Sequence, residues 1–533
     1  MIRQRKLLIG GFMGVGKSTV ARRAAELSGI ALVDLDAAIE ARAGKPIAAI
    51  FADDGEAAFR ALEAAELAAA LAADGPAILA LGGGALLDQA RRRDALGQAF
   101  VVTLTARPGT IADRTAGSTR PLLAGAVDRA ERIRELLDAR AHVYAEAHAQ
   151  VPTDDHPIDA VAEAVLQAWS QPTLAVPLGP RSYTVQLTVG APATLARVVK
   201  RLRPSAVFVV TDENVQRFWG DGLTAALAAA GVPARATVVL RPGEEHKRLA
   251  AVEQALTAMV EAGADRDAVV LGHGGGVVTD IAGFTAATLL RGVRWVAAPT
   301  TLLAMVDASV GGKTGVDLGL AKNAIGAFHQ PSAVVIDTAH VTTETPRAYI
   351  SGLAEVVKSA ALADPALFAV LEAEAPRVLA RELAIVEELV LRSVAVKAAI
   401  VARDERESGD RALLNFGHTL GHALEAEGGF TRLTHGEAVS LGMVAMLRAG
   451  RALGVTDAGD EGRVVSLLAR LGLPVDLDAQ PLAAALGFVA LDKKRRGAGV
   501  RAVFLRRIGS AFVRETPLVD LPGLLGVGSQ RSA

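Results

Sequence analysis

The sequence predicts an α/β architecture divided into several domains, and three observations carry that reading. Apolar strand-like runs alternate with helical stretches through residues 1–170, and a second series of the same kind starts near residue 174. A glycine-rich turn joins the first apolar run to the first helical stretch. From about Pro346 the character changes to long Ala/Leu/Glu/Arg helices, with few strand signals until VRAVFLRRIG. A chain of 533 residues also exceeds one ordinary hydrophobic core, so two to four domains are expected.

Taken in order, KLLIGGF reads as a strand leading into a helix from about Ser18, and IALVDLD as a strand leading into a second helical region. PAILALGGG and QAFVVTLTA are two further buried strands, and the alternation calls for a parallel sheet with helices on both faces. The pattern ends after a helix near Ala160–Trp169, where SQPT (170–173) reads as a linker. AVFVVTDENV, ARATVVLRPG, AVVLGHGGG and VRWVAAPTT then each run as a strand into a polar or glycine-rich turn. GVGSQRSA reads as a loose tail. The opening MIRQRKLLIGG has basic residues and a short apolar stretch but no cleavage-site pattern, and it is read as a first strand.

Composition narrows the function classes. With 57 Lys+Arg against 58 Asp+Glu, nothing in the net charge calls for nucleic acid or an anionic membrane as partner. The chain has no cysteine, which excludes disulfides, zinc ribbons and thiol nucleophiles. A metal would therefore sit on His, Asp, Glu or water. Asp280, Arg291 and Arg294 interrupt the most apolar region, so no bilayer-spanning run is expected. The expectation is a cytoplasmic protein acting on small molecules.

Gly11-Phe-Met-Gly-Val-Gly16-Lys17-Ser18 fits G-x-x-x-x-G-K-[ST] between a strand and a helix, the context a phosphate-binding loop requires. Its glycines let backbone N–H groups approach phosphate oxygens. Lys17 would reach the β- and γ-phosphates, and Ser18 would hold Mg²⁺. Around it stand Asp34-Leu-Asp36, GEAAFR ending at Arg60, LGGG at 81–84, STRPLL with Arg120, and Arg140 ahead of Tyr144-Ala-Glu146. On these motifs residues 1–170 resemble shikimate kinase. The resemblance implies ATP with Mg²⁺, contacted by Gly14, Val15, Gly16, Lys17, Ser18, Thr19 and Arg120, with Ser18 and Asp34 in the magnesium shell. Shikimate would meet Asp36, Arg60, Gly82 and Arg140. An acceptor hydroxyl needs a carboxylate to orient it and take its proton, which suits Asp36, and a substrate carboxylate needs forked donors, which suits Arg60 and Arg140. Arg120, in a polar lid-like segment, would join Lys17 in neutralising the transferring phosphoryl group. A gluconate kinase is the rival reading for this half.

In the second half, a metal site without cysteine needs a set of histidines and carboxylates, for which His418, His435 and Glu355 are candidates among ten histidines. Those residues lie in RALLNFGHTLGHALE, THGEAVSLGM and SGLAEVVK, which accompany TDENV, GEEHK, GGGVVTDIAGF, PTTLLAMVDASVGGKTGVDLGLAKNAIGAFHQP and DKK. On these segments residues 175–515 resemble 3-dehydroquinate synthase. The resemblance implies NAD and one divalent metal, Zn²⁺ or Co²⁺, with 3-deoxy-D-arabino-heptulosonate 7-phosphate as substrate. It divides the half into an NAD-binding α/β domain at 174–345 and a mostly helical metal and substrate domain at 346–525. The kinase-like domain occupies 1–170.

NAD would meet Asp212, Asn214, Glu244, Lys247, Gly275, Gly276, Val277, Asp280, Thr300, Thr301, Lys313, Lys322 and Thr343. Substrate would meet Arg291, Asp307, Lys313, Asn323, Lys358, Arg411, Asn415, Lys493 and Lys494, with Lys313 and His422 catalytic. His422, one helical turn after His418, suits a phosphate or outer-sphere role better than a fourth ligand. Two positions depart from the family pattern: His273 precedes the triple glycine, and Thr279 stands where glycine is usual before Asp280. The implied chemistry oxidises C5 with NAD, eliminates phosphate, returns the hydride and closes the ring by an internal aldol. The family also suggests a homodimer through the synthase half. A metal-dependent polyol dehydrogenase and a non-catalytic nucleotide sensor are the rivals. The dehydrogenase has no need of a phosphate-binding cation cluster, and the sensor should have lost Lys17, Asp36, His418 or His435.

Overall fold

The computed structural model describes residues 5–116, 128–319, 321–493 and 499–525. Arg120, Lys494 and the GVGSQRSA tail lie outside the described residues. By contacts the chain parts into two compact units, Met1–Thr184 and Val185–Ala533.

The first unit is built on five strands, β1 (Leu7–Gly11), β2 (Leu32–Asp34), β3 (Ile78–Ala80), β4 (Phe100–Thr105) and β5 (Ala149–Pro152). They pair in parallel in the order β2-β3-β1-β4-β5. Strand alternation divides the core in two. Leu7 and Ile9 pack in one cluster with Val102 and Leu104, and Leu8 packs in the other with Leu79 and Val101. Both faces must then be covered by helices, as parallel sheets require. The phosphate-loop motif leaves β1 between β3 and β4, where the strand order reverses and open α/β sheets bind ligands. This unit runs beyond SQPT. Leu174 and Val176 of β6 (Thr173–Val176) are buried, and Ala175 packs on the Leu8 cluster. The Gly179 N–H donates to Glu146 Oε1 at 3.1 Å, and Glu146 is itself held by buried Arg92 at 2.5 Å.

The second unit carries β7 (Tyr183–Thr188, within which the division falls), β8 (Val207–Asp212), β9 (Ala234–Leu240), β10 (Val269–Gly274) and β11 (Arg294–Pro299). β12 (Lys313–Leu318) and β13 (Ala321–Phe328) form an antiparallel hairpin, and β14 (Ala333–Asp337) returns to the sheet. The parallel order is β7-β14-β11-β10-β8-β9. Helices Pro346–Ala363, Pro365–Leu379, Leu383–Arg403, His418–Glu427, His435–Ala452, Ala458–Arg470 and Leu482–Lys493 follow, then the ribbon β15 (Gly499–Arg507) and β16 (Ser510–Pro517). The helical segment expected from Pro346 and the late strand at VRAVFLRRIG are both present. Among the described residues, no helix is long and apolar enough to cross a membrane.

Candidate active sites

In the first unit Gly16 takes a left-handed conformation at the N-cap of helix Lys17–Ser28, so the loop turns sharply and leaves the first helical N–H groups without a side-chain cap. Lys17 Nζ donates to the Phe12 carbonyl at 3.0 Å, which folds the ammonium back over the loop. A Cβ on Gly83 would lie 3.9 Å from that Nζ, so the LGGG tract borders the phosphate site. A Cβ on Gly82 would lie 2.7 Å from Glu63 Oε1 and 3.1 Å from Asp36 Oδ1. Asp36 and Gly82, distant in sequence, thus share one wall. Arg60 pairs with Glu63 at 2.8 Å, and the Arg140 guanidinium sits 5.6 Å from the Phe12 ring centroid. Asp34 Oδ1 accepts from the Asp36 and Ala37 N–H groups as a helix cap. That is a structural duty the sequence reading did not assign. Glu63 was also missed. It is fully buried, burial raises its carboxyl above the ordinary range, and its spacing of three from Arg60 on a helix was the available signal.

In the second unit the expected nucleotide contacts gather at one edge of the sheet. Asp212 ends β8, Glu244 and Lys247 follow β9, Gly275 and Gly276 follow β10, Thr300 and Thr301 follow β11, and Thr343 follows β14. These are the carboxyl ends of five adjacent strands, and the glycine turn lies at the point where strand order reverses. Gly275 caps the 13-residue helix Gly276–Thr288 with no side-chain bond, so its first N–H groups face the turn. Asp212 accepts from the Asn214 and Val215 N–H groups. Lys247 reaches Asp280 and Asn323 Oδ1, both at 2.5 Å. Burial pushes the Asp280 carboxyl up to about 6 even though Lys247 pulls against it. The unusual Thr279 is accommodated by a 3.0 Å bond from its hydroxyl to the Gly275 carbonyl.

The helical segment brings Glu355, His418 and His435 together from three helices. Close packing depends on two glycines. Gly417 takes φ +80° just before His418, and a Cβ on Gly436, next to His435, would collide with the Ser351 carbonyl. Thr434 and Glu437 form a reciprocal capping box that starts the third helix at His435. Glu355 Oε1 lies 3.5 Å from His418 Nε2 and 3.6 Å from His435 Nε2. It is buried and has no hydrogen-bond partner among the described residues. The outer nitrogens are held: His418 Nδ1 faces the Phe416 carbonyl at 3.2 Å, and His435 Nδ1 faces Glu425 Oε2 at 3.4 Å. A buried, unpartnered carboxylate oxygen between two oriented imidazoles fits a divalent cation. Despite burial, Glu355 and Glu425 hold the His435 imidazolium up to about 9, so the field at this point favours positive charge. The His422 ring centroid is 5.3 Å from that of His418, and His422 forms a second possible ligand group with Glu425 and His435.

Cations crowd the space between hairpin and helices, and four lysines among them are each matched by an acid. Lys358 pairs with Glu355, Lys313 with Glu407, and Lys322 with Glu425 at 2.9 Å. Lys397 bonds both the backbone carbonyl and the carboxylate of Asp307. Burial would raise Asp307, but Lys397 and Lys358 hold it below the usual carboxylate range. Arg411 donates to the Gly311 carbonyl at 3.0 Å, and Asn415 donates to Glu407 at 2.6 Å. Lys397, Glu407 and Glu425 were not singled out from sequence. A lysine inside an apolar helix and a glutamate three residues after His422 were readable signals, whereas Glu407, in a loop at φ +62°, gave none. Arg291 is exposed ahead of β11, at the opposite end of that strand from Thr300, and does not join this group. Lys493 ends helix Leu482–Lys493.

Comparison with known proteins gives this geometry a family. Residues 237–351 match the family model 3-dehydroquinate synthase N-terminal, and residues 352–495 match 3-dehydroquinate synthase C-terminal. The 3-dehydroquinate synthase of Acidithiobacillus ferrooxidans is 44% identical over 341 residues, covering 64% of this chain and 93% of that protein. The chain belongs to the 3-dehydroquinate synthase family. The 3-dehydroquinate synthase of Geobacter metallireducens is 43% identical over 359 residues, 67% of this chain and 99% of its own length. A solved 2-epi-5-epi-valiolone synthase from Streptomyces hygroscopicus subsp. jinggangensis, with NAD+ and Zn2+ bound, aligns with TM-score 0.59 at 29% identity, covering 64% of this chain and 95% of that one. Residues 13–170 match the shikimate kinase family model. The chain therefore carries a shikimate kinase domain followed by a 3-dehydroquinate synthase, a bifunctional aromatic-pathway enzyme.

One group in the synthase half supplies a pH test. Glu344 Oε2 accepts from the Leu302 N–H at 3.1 Å, its Oε1 has no hydrogen-bond partner among the described residues, and burial pushes the carboxyl up to about 7. A folded-state value above the unfolded one means stability complete below about 4.5 and lost as pH rises through about 7. Glu344→Gln is expected to stabilise the protein by about 3 kcal/mol at pH 8.5 and by less than about 1 kcal/mol at pH 5. Thermal midpoints of the two proteins at both pH values check this, and an equal shift at both would refute it.

Proposed function

We propose that the first unit transfers the γ-phosphoryl group of ATP to shikimate, and that the second converts 3-deoxy-D-arabino-heptulosonate 7-phosphate to 3-dehydroquinate and phosphate, with the residues named above as the working groups. Residues 1–170, 174–345 and 346–525 are the kinase, nucleotide and metal domains of this reading. The observation that carries the synthase assignment is the Glu355 oxygen that lies between the His418 and His435 imidazoles with no hydrogen-bond partner among the described residues.

In the kinase half Ser18 and Asp34 would hold Mg²⁺, with Lys17 and Arg120 around the transferring phosphate. Asp36 would orient the acceptor hydroxyl and take its proton, while Arg60, fixed by Glu63, and Arg140 would bind the shikimate carboxylate. In the synthase half Glu355, His418 and His435 would hold Zn²⁺ or Co²⁺, and the strand ends from Asp212 to Thr343 would cradle NAD. When bound, NAD supplies a hydride acceptor restored within each turnover, and the metal supplies a Lewis acid. The NAD+ and Zn2+ of the valiolone synthase relative support this pair of cofactors. Lys313, Lys358, Arg411 and the Lys493/Lys494 pair would bind the substrate's phosphate and carboxylate. These anions would take over charges now balanced by Glu407 and Glu355. Asp307, Asn323 and Asn415 would orient hydroxyls, and His422, exposed beside the metal trio, would carry a proton. The reading also includes a cytoplasmic location and a homodimer through the synthase half.

The deciding assay supplies the heptulosonate phosphate with NAD far below substrate concentration. Phosphate should be released over many turnovers per NAD with no accumulation of NADH. NADH formed in step with substrate consumed would instead indicate a polyol dehydrogenase.

A further inference from the structure

His273, the residue that departs from the family pattern just before the triple glycine, is 3% exposed, and its Nε2 lies 3.1 Å from Nε2 of His340, itself 8% exposed. The strand fixes which way it faces. Cβ atoms on Gly272 and Gly274 would strike Ala282 and Val278 of helix Gly276–Thr288, so those positions face that helix. By alternation His273 faces the opposite side, in line with Val269 and Leu271 of the core cluster there.

Hydrogen-bond accounting sets the protons. His340 Nδ1 lies 2.8 Å from the Asp337 carbonyl, which can only accept, so the proton of His340 is on Nδ1 and its Nε2 is a bare acceptor. His273 must then donate from Nε2, which leaves its Nδ1 a bare lone pair. That atom is buried and has no partner among the described residues. Burial lowers the basicity of both rings, so both stay neutral and this proton pattern holds. The remaining neighbours extend the link. The Trp219 ring centroid is 4.5 Å from that of His340, the Trp219 indole N–H donates to Thr343 Oγ1 at 2.9 Å, and Thr343 Oγ1 donates to the His340 carbonyl at 3.1 Å.

Resting on the proposed NAD site, we propose that His273 and His340 are positioning residues for the nucleotide. Their single buried hydrogen bond ties the Gly274–Gly276 turn, which follows His273 directly, to the Trp219–Thr343 contact packed on His340. The bond adds a direct side-chain tie, across β11, between the end of β10 and the turn after β14, and so helps set the separation of the two walls. Pre-setting that separation spares the nucleotide the ordering of the two walls. A buried histidine with a partnerless nitrogen is a costly way to fill a core position where a leucine would pack, which argues for the bond rather than the volume.

The test is calorimetric titration of NAD into the full-length protein, wild type against His273→Leu and His273→Gln. Leucine keeps the volume and removes the donor; the glutamine amide can place a donor where Nε2 stands. Expected are a roughly tenfold rise in the NAD Kd for His273→Leu and at most about a threefold rise for His273→Gln, with zinc content unchanged in both. A His273→Leu protein that binds NAD as wild type does overturns the inference, as does equal weakening in both variants, which would mean a packing role. Should His273→Leu fail to fold, His340→Leu removes the same bond from the other side and carries the same expectation. Failure of the wild type itself to bind NAD would refute the nucleotide reading, a result distinct from a variant that binds unchanged.

Discussion

Lys17→Ala is expected to lower shikimate phosphorylation by about a thousandfold or more while leaving the synthase within a few-fold of wild type. The ammonium has no backbone substitute. The loop's N–H groups can hold the β-phosphate, but a mobile positive charge is needed to follow the γ-phosphoryl group as it transfers. Lys17 donates to the Phe12 carbonyl, a reversible contact that a phosphate oxygen can displace. All groups assigned to the synthase come from residues beyond 184, in the other compact unit. Paired assays of shikimate-dependent ADP formation and phosphate release from the heptulosonate phosphate check both halves of the claim. A parallel loss of the two activities would refute independent sites.

Removal of the metal is expected to have an effect of comparable size on the other half. Chelation should silence the synthase almost completely, with zinc or cobalt restoring it, whereas the kinase should need only magnesium. The reason lies in the donor sets. Two imidazoles and a carboxylate bind borderline transition metals far more tightly than magnesium, which prefers hydroxyl, carboxylate, phosphate and water oxygens. The fixed outer nitrogens of His418 and His435 strengthen that preference, because neither ring has to be reoriented to bind. Synthase activity persisting in protein shown by elemental analysis to hold no zinc or cobalt would remove the assignment of Glu355, His418 and His435.

The two sites differ in how much of them could be read from the chain. The phosphate loop is local: its turn, its lysine and its helix lie within eight consecutive residues, so spacing alone carries the geometry. The strands at KLLIGGF, QAFVVTLTA and VRWVAAPTT were equally plain, because strands buried on both faces are continuously apolar. The short edge strand β5 and the return strand AVVID (β14) were not singled out. β5 is half-exposed and only four residues long, and β14 had no glycine-rich turn after it to mark it. The linker reading at SQPT followed composition, which cannot register that Ala175 and the Gly179 N–H are taken up by the first unit.

By itself the sequence determined which chemistries the chain can perform. The absence of cysteine confined any metal to His and carboxylate, the glycine-lysine turn called for a phosphate, and residue types matched to family motifs supplied both activities. Only the tertiary structure decided how those groups are charged and aimed. Glu63 on Arg60, Lys397 on Asp307, Glu425 on His435 and His340 on His273 are each pairs that the fold brings within reach with at least one partner buried. Charge state and orientation depend on distance and on exclusion of water, and in three of these four pairs the partners are ten to 90 residues apart in the chain.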